Sequence, residues 1–323
     1  MLRPVLALAA ASALLCGGCS GDDSGDSDET GLRSALGRVA ATDDTREYVE
    51  YGDVALLTKL AAGRDGRRYL NLVGYGFSPL APTYRLMADE LHFDPSKMDG
   101  AVVAGQPPNH AGVLWGDYDV DALERALADR DIPAETDGGG KRWKSADDRE
   151  LDVDGPLTGI ARTSELNDIR TAPGTFAYSS ARAGLDAVSE PGGDTLADDP
   201  LMRRLSGCLG DAAAAVLTAP VEGDPIAYGV GVRLTLAGEA TEVACLTPHG
   251  KPSELRDHIE QQLKDGKAPS TRQSWDELLP GAEVELVELG TVVRIEAKTG
   301  DGAPLGRVMQ MLLTHDLAAL AGS

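Results

Sequence analysis

The sequence predicts an α+β fold in which mostly antiparallel sheets are covered on one face by helices. Strand-like runs are adjacent and joined by tight turns, with amphipathic helices interspersed. An order of strand, turn and helix also recurs late in the chain. Two similar halves are therefore expected, 32–165 and 166–323.

Glu47-Tyr48-Val49-Glu50-Tyr51 alternates as a strand does, and Asp53 is placed to cap a short helix over 54–60. A second helix is expected over 83–91, stopped by Pro95. Residues 101–104 and 112–115 read as paired strands around Gln106-Pro107-Pro108-Asn109-His110. The clearest helix follows Asp117, Asp119 and Asp121. Val120, Leu123, Leu127 and Ile132 mark its apolar side, and acids sit at its positive N-terminal end. Further on come a strand at 174–178, helices over 181–189 and 200–205, and an apolar run at 212–217. A hairpin is expected from 226–236 and 241–246. Pro252 then opens a helix carrying Leu255, Ile259 and Leu263 at i, i+4 and i+8. A sheet pair at 282–287 and 291–297 precedes one C-terminal helix over 305–320.

The first residues read as an export signal: Arg3 supplies a positive charge, and 5–15 is an apolar run too short to span a bilayer. Cys16-Gly17-Gly18-Cys19 then resembles the bacterial lipoprotein signal, with Cys16 standing where an aliphatic residue is usual. The resemblance implies a signal peptide over 1–18, cleavage before Cys19, and lipid on that cysteine holding the protein to the outer face of a membrane. Two fatty chains suffice for a durable anchor, at about 0.8 kcal/mol per buried methylene. The alternative is an ordinary signal peptide that leaves Cys19 free. Residues 20–31, SGDDSGDSDETG, hold five acids and no apolar side chain, so 19–31 is read as a disordered tether. The abundance of Ala, Gly, Asp and Arg, with this signal, resembles actinobacterial lipoproteins.

With Cys16 removed and Cys19 lipidated, Cys208 and Cys245 remain as a pair in an oxidising compartment, where a disulfide is expected. The alternative is two buried thiols. Acids outnumber bases 52 to 30, for a net charge of −22. That balance argues against nucleic acid and against direct adhesion to anionic headgroups. Gly116-Asp117-Tyr118-Asp119, the helix to Arg130, Gly138-Gly139-Gly140 and Trp143 resemble a group of bacterial surface proteins to which no activity attaches.

Motifs for chemistry are sparse. There is no Gly-x-Ser-x-Gly elbow, and Ser179-Ser180, between strand and helix, reads as helix capping. His92, His110, His249, His258 and His315 are scattered, with no His-Glu-x-x-His. Two acidic clusters, Asp117, Asp119, Asp121 and Glu150, Asp152, Asp154, have the spacing of the first half of a calcium loop. Both lack the distal bidentate acid, so at most a weak calcium site is expected. Gly74-Tyr75-Gly76-Phe77 lets backbone approach something closely, either a ligand reached by Tyr75 and Phe77 or another strand. Trp115, Trp143 and Trp275 are assigned to packing. The sequence thus reads as a membrane-anchored extracytoplasmic domain without cofactor. It binds a protein or envelope partner rather than catalysing a reaction. The alternatives are an envelope hydrolase with a scattered site and a lipid or small-ligand carrier.

Overall fold

The hydroxyl of Thr30 accepts the backbone N–H of Arg33 at 3.2 Å and starts the first helix, α1 (Gly31–Leu36). The computed structural model describes residues 30–161, 163–220, 226–235, 239–300 and 302–322. The expected signal peptide, Cys19 and the tether as far as residue 29 lie outside these residues. Thr30 and Gly31, assigned to the tether from sequence, belong instead to α1 and its cap.

From α1 the chain runs through α2 (Asp43–Glu47), β1 (Tyr48–Gly52), α3 (Val54–Ala61), α4 (Tyr84–Leu91), β2 (Gly100–Ala104), β3 (Ala111–Trp115) and α5 (Val120–Ala128). It continues through β4 (Ala134–Asp137), β5 (Gly140–Lys144), β6 (Asp168–Ala172), β7 (Thr175–Ser179), α6 (Arg182–Ser189), α7 (Pro200–Leu209), β8 (Ala212–Thr218), β9 (Ala227–Leu234) and β10 (Ala240–Thr247). The last elements are α8 (Pro252–Asp265), α9 (Trp275–Leu278), β11 (Glu283–Val287), β12 (Val292–Lys298), α10 (Arg307–Leu313) and α11 (Asp316–Ala321).

Among the described residues twelve strands form one antiparallel sheet, ordered β11-β12-β10-β9-β8-β1-β2-β3-β7-β6-β5-β4. The α+β class is as expected. At the centre β1 pairs with β8, Glu50 lying opposite Val216 on one side and Val103 on the other. Outward from this pair the wings repeat one path: β1-β2-β3-β7-β6 matches β8-β9-β10-β12-β11, and the β4–β5 hairpin extends the first wing. The changeover between wings falls between α6 and β8, later in the chain than residue 165.

Helices cover both faces of the sheet, not one. On the first face Leu32 and Leu36 of α1, Leu185 of α6, and Met202, Leu205 and Leu209 of α7 pack over Val49, Val102, Ala215 and Leu217. On the second, α4 and α5 cover the first wing through Met87, Leu91, Leu123 and Leu127. The second wing is covered there by Ile259 of α8, Trp275 of α9, Met309 of α10 and Leu317 of α11. Strand β8 is apolar on both sides, which is why 212–217 reads as an unbroken apolar run and not an alternating one. Each fully buried Leu or Val in such a strand contributes about 1.5–3 kcal/mol.

The disulfide between Cys208 and Cys245 is present and ties α7 to β10 on the first face. The single C-terminal helix expected over 305–320 is broken in two. His315 takes a left-handed conformation (φ 58°), while the buried Asp316 accepts hydrogen bonds from the Ser270 N–H at 3.1 Å and from Thr314 Oγ1 at 2.8 Å. Those bonds fix the start of α11 in a new direction.

Candidate functional site

Segment 62–83 crosses the second face of the sheet, carried by Gly74 (φ 105°) and Gly76 (φ 84°). A Cβ on Gly76 would stand 2.4 Å from the Ala101 carbonyl oxygen, and one on Gly52 would stand 2.1 Å from that of Tyr75. The glycines of this stretch thus let its backbone lie directly on strands β1 and β2. Phe77 is buried in the core, and Tyr75 is left half-exposed above the sheet.

Two buried glutamates on this face hold the overlying backbone. Glu50 Oε1 accepts the N–H groups of Gly76 (2.8 Å) and Ser78 (3.3 Å), and Oε2 accepts the Tyr48 hydroxyl (3.2 Å). Glu242 accepts the N–H groups of Gly306 (2.8 Å), Arg307 (3.2 Å) and Val308 (3.2 Å), so it seats the start of α10. Desolvation raises the pKa of both carboxyls against the lowering pull of these bonds. Tyr75 feels both negative charges, and chiefly through burial its phenol is pushed up to about 12.

Between these two anchored walls runs a groove over the seam of the wings. Its widest part, of about 770 Å³, is lined by Pro79, Pro82, Val103, Pro107, Leu312 and Leu313, with His110, Glu165 and His315 among its polar groups. A second cavity of about 320 Å³ shares Tyr48, Ser78, Leu312 and Leu313 with it and reaches Glu50 and Tyr75. A third of about 740 Å³ shares Tyr75 and Leu313 with the second and extends to Arg307. The groove thus follows α10. Leu313 stands 68% exposed at its lip.

His110 closes one end. The loop between β2 and β3 carries it, and two hydroxyls hold that loop: Ser179 Oγ donates to the His110 carbonyl at 3.1 Å, and Ser180 Oγ donates to the Pro108 carbonyl. These serines, read from sequence as helix caps, are staples for the loop. The N-cap of α6 is Ala181, whose N–H bonds back to Ser179 Oγ at 3.2 Å. The His110 ring is only 5% exposed, and neither of its nitrogens has a hydrogen-bond partner in the protein. Burial lowers its pKa, opposed by the negative charge of Glu165. Glu165 Oε2 itself accepts the Thr163 N–H at 2.9 Å.

The acidic clusters do not assemble into metal sites. Asp119 caps α5 by accepting the Ala122 N–H at 2.9 Å, and Asp121 lies in that helix's first turn with Asp117 before it. Glu150 accepts the Asp147 N–H at 3.1 Å, and Asp152 accepts that of Asp154 at 3.1 Å. The short spacing that resembled a calcium loop serves local turns. Among the described residues no three His, Cys, Asp or Glu side chains gather as a metal site would require. Of the histidines, His110 and His315, far apart in sequence, line the same cavity. Sequence reasoning missed His110, Glu50, Glu165 and Leu313. A charged residue inside the alternating Tyr48–Tyr51 strand was the one usable signal.

The site is that of an α+β protein with an apolar groove beneath a helix. Among the described residues no helix is long and apolar enough to cross a membrane. The chain matches no protein-family model, no curated protein and no solved structure.

Proposed function

We propose that the protein is a non-catalytic binding protein, held by lipid on Cys19 at the extracytoplasmic face of a membrane, and that the groove along α10 takes its ligand. The anchor rests on the export and lipoprotein-like signal of the first nineteen residues. The binding reading rests on one observation above all: an open, largely apolar cavity of about 770 Å³ with a few convergent polar groups. An exposed Leu313 beside Pro79, Pro82 and Leu312 offers water a surface that a ligand would cover.

The neutral dye N-phenyl-1-naphthylamine, which brightens in apolar surroundings, tests the groove. Saturable binding that weakens about tenfold in Leu313→Glu, with unchanged circular dichroism, supports the reading. Equal binding by both proteins, or none, removes it. Metabolic labelling with a fatty-acid probe tests the anchor: wild type takes up label and Cys19→Ser does not.

A further inference from the structure

We propose that the free edge of β11 is a docking surface for a partner protein, which adds an extended segment bearing Lys or Arg to the sheet as a further strand. The surface is separate from the groove and does not depend on it: β11 lies four strands out from β8 at the seam, roughly 20 Å away. Among the described residues β11 has one strand neighbour, β12. Its other side turns the N–H and C=O groups of alternate residues outward, where a second chain can pair with them. The sheet has two such edges, and they differ. β4, at the far end, exposes Ala134, Glu135 and Thr136 to water. β11 instead holds Val284 and Leu286 half-buried against the core of the second wing. Beside Val284 a cavity of about 340 Å³ opens between the strand and α8, with Leu263, Leu279 and Ala282 in its lining. A strand laid along β11 would put every second side chain on that face, level with Val284 and Leu286 and within reach of the cavity. At the tip of the β11–β12 hairpin Leu289 is fully exposed.

Charge selects the occupant. Glu283 and Glu285 alternate with the apolar residues of β11, so they stand on the opposite face of the edge. The cavity lining adds Glu260 and Asp276 against Lys264. The nearby Arg294 is taken up by Glu285 and by Glu296, at 3.0 Å from the latter. An incoming strand with apolar residues on one face and Lys or Arg on the other matches both halves of this pattern. A second copy of this chain does not. Antiparallel β11 against β11 would bring Glu283 and Glu285 towards their own counterparts, in a chain of net charge −22.

Fluorescence anisotropy of a labelled peptide, Lys-Val-Lys-Val-Lys-Val-Lys, with the purified full chain tests this, read together with amide exchange. Saturable binding that slows exchange within 283–287 is expected. The same peptide with every backbone nitrogen methylated keeps its charges but loses its ladder donors, and should bind about tenfold more weakly or worse. Glu283→Lys should weaken binding about fivefold. Asp129→Lys makes the same charge change at the exposed end of α5, in the other wing, and should weaken it less than about twofold. No saturable binding, protection that falls outside β11, equal binding by the methylated peptide, or a Glu283→Lys effect no larger than that of Asp129→Lys overturns the proposal. A dimer of the protein alone that protects β11 would put a second copy there and overturns it as well. The groove stands or falls separately from all of these outcomes.

Discussion

The carboxylate of Glu50, on the central strand, holds the backbone N–H of Gly76 at 2.8 Å in the overlying segment. One buried acid thereby fixes a wall of the groove to the sheet. Glu50→Ala leaves the N–H groups of Gly76 and Ser78 and the Tyr48 hydroxyl without their acceptor, and should cost about 2–4 kcal/mol of stability. Urea unfolding reads the loss, and faster amide exchange at Gly76 and Ser78 locates it.

Gly76→Ala should cost a similar amount by a different route. The residue has φ 84°, and its new methyl would meet the Ala101 carbonyl. Gly193→Ala is the control: φ is 77° but nothing lies within 4 Å, so backbone strain alone, about 1 kcal/mol, is expected. Thermal melting of the two variants side by side separates collision from strain.

Much of the fold was legible because its elements carry local signals. Asp53 caps the helix it was expected to cap, Asp119 is among the acids expected at the start of α5, and the strands at 101–104 and 112–115 pair as read. β6 was not legible. Its Asp168 and Arg170 look like surface residues, yet both are buried, with Arg170 reaching Asp137 at 3.5 Å. That helices cover both faces was hidden for a related reason, since small apolar residues such as Ala214 do not announce which side of the strand is covered. The groove was least legible of all. His110, Glu165 and Leu313 come from three distant segments, and only the long-range pairing of strands places them together.

Acidity should stabilise the fold through Asp168. Burial and the neighbouring Asp148 raise its pKa from 3.8 to about 6, only partly offset by Lys144 and Arg142. Between those two values the folded protein holds a proton that the unfolded chain has released. Stability from this group therefore falls as pH rises from about 4 to 6 and stays lower above. Asp168→Asn should gain about 1–2 kcal/mol at pH 7 and little at pH 4. Urea midpoints at the two pH values check this, and equal shifts at both would refute it.

Reduction should expose the contribution of Cys208–Cys245, which spans a sequence separation of 37 residues. Loop-closure entropy puts it at about 3.5–4 kcal/mol. The double variant Cys208→Ser, Cys245→Ser should lose most of that in urea unfolding. Intact mass before and after reductant should change by two hydrogens in wild type only.

The antiparallel pairing of β1 with β8 has a mechanical meaning. A two-lobed receptor that closes by bending at a linker needs a joint with few bonds across it. Here the wings meet along a continuous ladder from Tyr48–Thr218 to Gly52–Ala214, so they cannot swing apart without tearing the sheet. Any change in the width of the groove must therefore come from above it: α10 shifting on the His315 bend, or the glycine-bearing segment yielding, over a floor that stays still.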